Sequence, residues 1–272
     1  RRVAFIHAAL ETLQQTMVHA GSSLIIYHDT PENAFKNLVS KYDISAVFTN
    51  HDYEPYAAER DAGIKKFLDM HGIIMQTFKD QVIFEKNEIL KDDGKPYTVF
   101  TPYSRKWKAT LTSTQLDSYS CKKYHSNFFK HPESKIPSLK QLGFHESAIP
   151  FPSNELQEEL IKKYGKERDF PGINGTSKLG VHLRFGTISI RQLAAKTKHL
   201  SETYLNELIW RDFYHMILWH FPHVGRGISF KPAYDNIEWV KETGEFEKWC
   251  KGQTGYPIVD AGMRELNATG FM

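Results

Sequence analysis

Two spacings of hydrophobic residues alternate along the first 110 positions of the chain. Apolar side chains recur every three to four residues in 2–20, 31–42 and 54–70, which predicts three helices. Three short apolar runs lie outside these helices, SSLIIYH, ISAVFTN and IIMQTF, and each is typical of a buried strand. Strands that alternate with helices predict a parallel α/β sheet with right-handed crossovers.

Cap residues mark where these helices should begin and end. Thr30 followed by Pro31 is typical of a helix start, with the threonine as N-cap and the proline at the first helical position. Gly21 and Gly72 stand where the first and third predicted helices should end. Because a doubly wound sheet normally begins with a strand, the opening helix indicates that the first strand is missing. We therefore expect the chain to be a piece of a longer protein.

Beyond residue 153 the pattern is almost purely helical, with predicted helices at 154–163, 189–198, 202–220 and 258–267. Between the two halves the periodicity fades in a polar segment containing HPESKIPSLKQLG, which is typical of an interdomain linker. The pattern predicts an α/β domain at 1–112, a linker at 113–153 and an all-α domain at 154–272. The apolar end, two residues after the stop signal Gly270, again suggests a cut chain.

The amino-acid composition restricts the class of protein but adds no functional motif. With 40% hydrophobic and 25% charged residues, the chain is typical of a globular protein that buries a substantial core. Its apolar runs are far too short to span a membrane. Cys121 and Cys250 lie in no CxxC pattern and the histidines show no HExxH spacing. We therefore predict reduced thiols in a cytoplasmic protein and no metal site.

The segment NGTSKLGVHLRFGTIS offers the first candidate chemistry. Thr176 and Ser177 supply hydroxyls, and Gly175 leaves backbone N–H groups exposed before a predicted helix, an arrangement that can hold a phosphate. The same residues fit an ordinary helix cap at a glycine turn, and the pattern alone favours that second interpretation. The segment is neither GxGxxG nor a Walker loop, so the generic nucleotide motifs do not apply.

The predicted helix at 202–220 carries a polar stripe. At i, i+3, i+4 and i+7 this stripe consists of Glu207, Trp210, Arg211 and Tyr214. The opposite side is predicted to face the core through Leu205, Ile209, Met216 and Trp219. A carboxylate, an indole, a guanidinium and a phenol on one face suit a planar, hydrogen-bonding, partly anionic ligand. The alternative is a helix salt bridge between Glu207 and Arg211 beside a half-buried tryptophan.

Two further pairs have structural explanations. Tryptophans usually fill hydrophobic core, and we expect this of Trp239 and Trp249. Asp260 and Arg264 stand at i, i+4 on the last predicted helix, where a structural ion pair is the expected interaction.

Three of these stretches, taken in order, resemble one family. GTSKLGVHLRFGTIS, then NELIWRDFY, then WCKGQTGYPIVDAGMRELNATG resemble the DNA photolyase and cryptochrome flavoproteins. TNHDYEPYAAERD and VFTPYSRKWK resemble the antenna domain of that family. The resemblance covers essentially the whole chain and implies a Rossmann-like α/β antenna domain joined by a linker to an α-helical FAD-binding domain. Compared with a full-length member, the first strand and a long helical segment after Met272 are absent.

The resemblance implies FAD as cofactor and a set of residues that contact it. The loop that holds the FAD phosphates matches Thr176, Ser177, Lys178, Leu179 and Gly180. Tyr164 matches a tyrosine that contacts the same cofactor, and Tyr204 matches an aromatic residue that lines the flavin pocket. Gly180 stands where many members have serine, which removes a hydroxyl but keeps the backbone donor. Because part of the pocket would lie beyond Met272, we expect these 272 residues alone to be inactive and to hold FAD weakly.

The resemblance also implies contacts with damaged DNA and an electron path. Glu207 resembles the carboxylate that hydrogen-bonds the pyrimidines, Trp210 the indole on which the extruded dimer packs, and Arg168 a basic residue that meets the DNA backbone. Arg211 lies beside both ligands, and Tyr214 completes the DNA-facing stripe. Trp239 matches the outer tryptophan of the chain that re-reduces the flavin, and Phe271 replaces a usual tryptophan.

The activity implied is repair of cyclobutane pyrimidine dimers by electron transfer from light-excited reduced FAD to a flipped-out dimer. NELIWRDFY is most similar to the motif of the class I cyclobutane dimer photolyases, and Glu207 with Trp210 favours repair. The alternatives are a cryptochrome-type photoreceptor without repair activity and, outside the family, a plain nucleotide-binding or single-strand-binding module. The resemblance allows a second antenna chromophore of folate or deazaflavin type. It predicts a monomer, in the cytoplasm and at the nucleoid of a bacterium, with no membrane partner.

Overall fold

A computed structural model describes residues 1–241 and 243–271 of the chain. Ten α-helices in the described residues are α1 (Arg2–His19), α2 (Pro31–Lys41), α3 (Pro55–Met70), α4 (Phe100–Thr110), α5 (Glu158–Glu167), α6 (Gly180–Phe185), α7 (Ile190–Thr197), α8 (Glu202–His220), α9 (Thr243–Lys251) and α10 (Pro257–Thr269). The two strands are β1 (Ala46–Asn50) and β2 (Ile74–Phe78). Short 3₁₀ helices cover Ser113–Leu116, Lys122–Asn127, Val224–Arg226 and Pro232–Asn236. None of the helices described is both long and apolar enough to cross a membrane.

The strands β1 and β2 are parallel and are connected through α3. Their register runs from Ala46 opposite Ile74 to Asn50 opposite Phe78. Below them, Ile64 and Leu68 of α3 form a buried cluster with Ile73. The partly buried side chains packed against this cluster are Phe35, Val39, Ile44, Val47, Phe67 and Met75. Parallel strands joined by a helix confirm the predicted α/β pattern for this part of the chain.

The predicted strand SSLIIYH is wrong for this structure. Residues 22–28 adopt no strand, because neither β1 nor β2 shares a ladder of backbone hydrogen bonds with them. Side chains hold the segment instead: the Ser22 hydroxyl donates to the Phe129 carbonyl (2.7 Å) and the Leu24 N–H to Oε1 of Gln14 (2.7 Å). The Ser23 hydroxyl accepts from the Ser134 N–H (2.8 Å). The apolar pattern therefore identified a partly buried segment, but this segment is not paired with β1 or β2.

Hydroxyl side chains cap the start of three helices, and the cap at Thr30 is the one that the sequence predicts. Thr30 accepts a hydrogen bond from the N–H of the third residue of α2 (3.3 Å), Ser189 does so for α7 (3.4 Å) and Ser201 for α8 (3.3 Å). The helix predicted to start at Asn154 begins four residues later, at Glu158. There the Ser153 hydroxyl accepts from the Glu155 N–H (3.1 Å), which forms a turn before the helix starts.

The described residues form two compact units. The first combines Arg1–Ser147 with Pro152–Gly227, and within it α8 packs against α4, α5 and α7. Leu205, Ile209 and Met216 are buried as predicted, but Trp219 is 46% exposed and does not belong to the core face. It lies in the last turn of α8, with the Lys86 ammonium 5.0 Å from its ring centre. The domain boundaries at 112 and 153 stay a prediction.

The second unit combines Ala148–Phe151 with the chain from Ile228 onwards, and its helices α9 and α10 pack on each other. Asp260 accepts hydrogen bonds from the Thr254 N–H (2.7 Å), the Thr254 hydroxyl (2.7 Å) and the Gly255 N–H (3.0 Å). Arg264 approaches that carboxylate at 3.9 Å, which confirms a structural pair. The core assignment of Trp239 and Trp249 is wrong, since they are 75% and 44% exposed. Two short helices offer too little surface to cover large indoles.

Candidate functional site

The loop 176–180 lies between α5 and α6 and is shaped by one unusual residue. Lys178 adopts a φ of +54°, in the left-handed region that non-glycine residues seldom occupy. The preceding Gly175 packs so closely on the end of α5 that a Cβ would lie 2.9 Å from the Glu167 backbone. A left-handed residue in such a turn directs successive N–H groups towards one side, where an anion can bind. Leu179 is buried and anchors the loop, whereas Thr176 and Gly180 are exposed.

A cavity of about 140 Å³ opens beside this loop. Its walls come from the segment before α5, from α5 and from the loop, and they are Pro152, Ser153, Glu155, Gln157, Leu160, Asn174, Thr176, Ser177 and Lys178. Whole drug-sized ligands usually occupy about 300–1,000 Å³. The cavity therefore has room for one phosphate-sized group and not for a complete dinucleotide.

Ser177 connects the loop to α8. Its hydroxyl lies 2.9 Å from the hydroxyl of Tyr204 and accepts the N–H of Leu179 (3.4 Å). Tyr204 is buried, and its ring meets the ring of Tyr164 edge to face with centroids 5.0 Å apart. Two tyrosines predicted to contact the same cofactor, one on α5 and one on α8, are thus in direct contact.

The same chain of contacts continues to Glu207. The guanidinium of Arg168 stacks over the Tyr164 ring, 5.5 Å from its centre. Its Nη1 donates a hydrogen bond to Oε1 of Glu207, which forms a half-buried ion pair. Glu207 is therefore paired with Arg168, the residue directly after α5, and does not form the alternative helix salt bridge with Arg211. Residues scattered between 164 and 207 in the sequence form one contiguous cluster.

Trp210 stacks with one aromatic ring from α4 and one from α8. Its ring lies 3.7 Å from that of Phe100, nearly parallel at 4°, and 5.4 Å from that of Tyr214, tilted by 23°. Tyr214 is 58% exposed and forms the outer ring of this group. The stacking partner Phe100 stands in VFTPYSRKWK and was assigned no role from the sequence. Phe100 can be recognised in the sequence as an aromatic residue, but its contact with Trp210 is visible only in the folded structure.

Arg211 points away from this stack towards main-chain carbonyls. Its guanidinium donates to the carbonyl oxygens of Gln81 and Leu183, the latter at 3.5 Å. Burial lowers the pKa of Arg211 below its ordinary value. The side chain therefore joins α8 to the 80–84 loop and to α6, and its predicted contact with flavin or DNA stays a prediction.

Asp212 is a buried carboxylate that the sequence pattern did not single out. Its Oδ2 accepts hydrogen bonds from the backbone N–H groups of Ile83 (3.1 Å) and Phe84 (3.0 Å) and from Nε1–H of Trp107 (2.9 Å). Burial raises its pKa to about 6, despite these donors. The signal was present in the sequence, because Asp212 falls on the core face, three residues after Ile209 and four before Met216.

Trp239 lies in the second unit, exposed and outside the clusters around Glu207 and Trp210 that belong to the first unit. The predicted site residues therefore divide into a contiguous group in the first unit and this one indole. The role of Trp239 in electron transfer stays a prediction.

Comparison with known families and proteins gives matches along most of the chain. The family model described as DNA photolyase matches residues 1–121, and that described as the FAD binding domain of DNA photolyase matches residues 204–272. The second match includes Tyr204 and the whole polar stripe of α8. A deoxyribodipyrimidine photo-lyase of Synechococcus sp. is 34% identical over 299 residues, covering all of this chain and 61% of that protein. The chain thus spans about 61% of that relative's length.

Solved structures share the fold. A bacterial class III photolyase from Agrobacterium tumefaciens superposes with a TM-score of 0.81 at 25% identity, over 98% of this chain and 60% of that one. An archaeal photolyase from Sulfolobus tokodaii with two FAD molecules gives 0.75 at 27% identity, over 100% and 60%. A cryptochrome from Synechocystis sp. gives 0.70 at 20% identity, over 96% and 59%, which supports the fold alone.

Proposed function

This chain belongs to the DNA photolyase family, and we propose that the protein repairs cyclobutane pyrimidine dimers in DNA under blue light, as a deoxyribodipyrimidine photo-lyase. Because the chain spans about 61% of its relative's length, the activity, substrate and cofactor complex of the whole protein are part of the proposal. The reaction class is a carbon–carbon lyase driven by light.

The observation that carries the proposal is the contact chain from the loop 176–180 to Glu207. The Ser177 hydroxyl meets Tyr204, Tyr204 meets Tyr164, and Tyr164 lies under Arg168, which pairs with Glu207. Residues assigned to cofactor and to substrate by resemblance are therefore neighbours. A light-driven repair enzyme needs this proximity, because electron transfer requires the flavin and the dimer to be close together.

The residues at the loop 176–180 fit a flavin dinucleotide. Lys178 turns the backbone so that N–H groups can meet a phosphate, Thr176 offers an exposed hydroxyl, and the adjoining cavity is phosphate-sized. Tyr164 and Tyr204 would line the pocket, with Leu179 and Gly180 closing the loop. When bound, reduced FAD supplies after blue-light excitation the electron that splits the dimer.

The remaining residues would hold the substrate. A dimer inside a duplex is out of reach, so it must be flipped out, and Trp210 with Tyr214 gives it an aromatic surface. Glu207 accepts hydrogen bonds from polar edges of the pyrimidines, and Arg168 can reach a DNA phosphate from the same place. The formal charge of +3 permits this sequence-independent contribution to DNA affinity.

The α/β half would accommodate a second, antenna chromophore, of folate or deazaflavin type, to which we assign no residues. The neighbour with two FAD molecules supports the idea that family members differ in this second cofactor. We further propose a monomer that acts where its substrate is, at the nucleoid in the cytoplasm if the cell is bacterial.

The proposal is tested with the full-length protein, loaded with FAD and chemically reduced. An oligonucleotide with one thymine dimer is incubated with it under blue light and in the dark, and intact thymines are measured by chromatography. We expect restoration only in the light. Equal repair in the dark, or none despite bound reduced flavin, contradicts the proposal. Bound flavin that responds to light without repair would favour a cryptochrome-type photoreceptor.

A further inference from the structure

Phe100 contacts Trp210, and its role in substrate binding rests on the proposed function. Phe100 is the first residue of α4 and comes from the α/β half of the sequence, more than one hundred positions before Trp210. Its ring nevertheless lies face to face with the indole, with centroids 3.7 Å apart and planes within 4°. Phe213 meets both rings edge to face, at 6.0 Å from Phe100 and 5.6 Å from Trp210.

A second contact fixes α4 against α8. Two turns along α4, the buried Trp107 donates its Nε1–H to Asp212 of α8 (2.9 Å). Asp212 follows Trp210 by two residues on α8. The hydrogen bond and the ring stack therefore join the same two helices at two points, which lie two turns apart on α4. Because a buried hydrogen bond to a carboxylate is directional, the position of Phe100 relative to Trp210 is set by the fold and does not depend on the two rings alone.

We propose that Phe100 is a positioning residue, which holds the Trp210 indole in the orientation that receives the extruded pyrimidine dimer. It acts through the indole and does not itself touch the base. Phe100 occupies the part of the indole that it stacks on, so the dimer packs on the part of half-buried Trp210 that remains accessible, next to the exposed ring of Tyr214. The α/β half thereby contributes to substrate recognition in the helical half.

The size of the effect follows from side-chain ordering. Without the stacked ring, the indole can occupy several rotamers, and binding must select one of them. Immobilising one such side chain costs about 0.5–1.5 kcal/mol, which corresponds to roughly a 2- to 10-fold loss of affinity. DNA without a dimer does not use the indole, so its affinity should be unchanged.

The first experiment measures dissociation constants of the full-length, FAD-loaded protein for dimer-containing and intact duplexes. Phe100→Leu keeps an apolar side chain of similar size but removes the planar ring, and Phe100→Tyr keeps the ring. We expect Phe100→Leu to bind damaged DNA about 2- to 10-fold more weakly, intact DNA equally, and Phe100→Tyr to match the wild type. In a Trp210→Ala background, Phe100→Leu should cause no further loss.

A second measurement needs no DNA. With 5-fluorotryptophan incorporated, the ¹⁹F resonance of Trp210 is identified as the one absent from Trp210→Phe. We expect Phe100→Leu to shift or broaden that resonance and Phe100→Tyr to restore it. The matched control is Ile64→Val, a conservative change in the sheet cluster, which should leave both this resonance and the preference for damaged DNA unchanged.

The outcomes separate the two proposals. If wild type discriminates damaged from intact DNA but Phe100→Leu does so equally well, the positioning role is overturned while the proposed function stands. An additive loss in the Trp210→Ala background also overturns it, because Phe100 would then act by another route. If wild type shows neither discrimination nor repair, the proposed function fails, and the role of Phe100 in recognition fails with it, whatever the ¹⁹F spectrum shows.

Discussion

Replacing Asp212 should reveal how the 82–84 loop, α4 and α8 are held together. In Asp212→Ala, three buried donors lose their acceptor: the N–H groups of Ile83 and Phe84 and the indole N–H of Trp107. Each unsatisfied donor costs about 1–3 kcal/mol, so the free energy of unfolding should fall by at least about 3 kcal/mol. In a domain of about 150–250 residues that would lower Tm by about 6–12 °C, and the longer full-length protein should show a smaller shift.

Asp212→Asn separates the hydrogen bonds from the charge. All three donors converge on Oδ2, so an amide oxygen placed there keeps the three bonds without a buried charge. The amide nitrogen at the Oδ1 position opposes part of the gain, because it faces the Ile83 N–H at 3.4 Å. We therefore expect Asp212→Asn to lie within about 1 kcal/mol of wild type at pH 7.

The pH dependence of stability shows whether the charge on Asp212 stabilises or destabilises the folded state. Burial raises the pKa of Asp212 from 3.8 to about 6, so the folded state holds this proton more tightly than the unfolded state. Its contribution favours folding below about pH 4 and is lost as pH rises through about 6. The change corresponds to about 3 kcal/mol, and it should appear as a shrinking stability advantage of wild type over Asp212→Asn between pH 4 and pH 7.

The assay is thermal and urea unfolding of the full-length protein and both variants, followed by circular dichroism at several pH values. Equal losses in Asp212→Ala and Asp212→Asn at pH 7 would refute the hydrogen-bond argument, since the amide retains the acceptor. A difference between wild type and Asp212→Asn that does not vary with pH would refute the argument about the charge.

Two further predictions concern close contacts within the first unit. Gly225→Ala should lower stability by about 1–3 kcal/mol in thermal unfolding, because its Cβ would lie 2.7 Å from Cδ of Pro55. Gly63 lies in the middle of α3 with open space around it, so Gly63→Ala should instead raise stability by up to about 1 kcal/mol. If both variants change in the same direction, the steric argument is wrong. Arg168→Ala should change Tm little, because half-exposed ion pairs contribute about 0–1 kcal/mol to stability. The same change should weaken DNA binding and reduce the slope of log affinity against log salt concentration by about 1. An unchanged slope would show that Arg168 contacts no DNA phosphate.

Local sequence signals predicted most helix boundaries. The bounds of α8 were predicted from the spacing of Leu205, Ile209 and Met216, and those of α2 from the Thr30 cap followed by Pro31. The parallel pairing of β1 with β2 likewise follows from two apolar runs separated by one helix. Caps and periodicity are properties of neighbouring residues, so they can be recognised without knowing what packs against them.

The features that could not be predicted from the sequence depend on contacts between residues that are far apart along the chain. SSLIIYH has the composition of a strand but pairs with neither β1 nor β2, and Trp239 has the side chain of a core residue but lies exposed in the segment before α9. Phe100 and Asp212 were missed for the complementary reason: their partners stand more than one hundred residues away. The separate roles of Tyr164, Arg168 and Glu207 were implied by the resemblance, and the contacts among them required coordinates.

Asp212 also constrains how the length of α8 can vary. It points into the core two residues from Trp210 and five from Glu207, so one helix carries both the anchor and the proposed substrate contacts. Inserting a single residue between positions 207 and 212 would rotate one set against the other by about 100° and displace it by about 1.5 Å along the axis. Related sequences should therefore show no insertions or deletions in this part of α8, which makes it a reliable reference segment for aligning distant homologues.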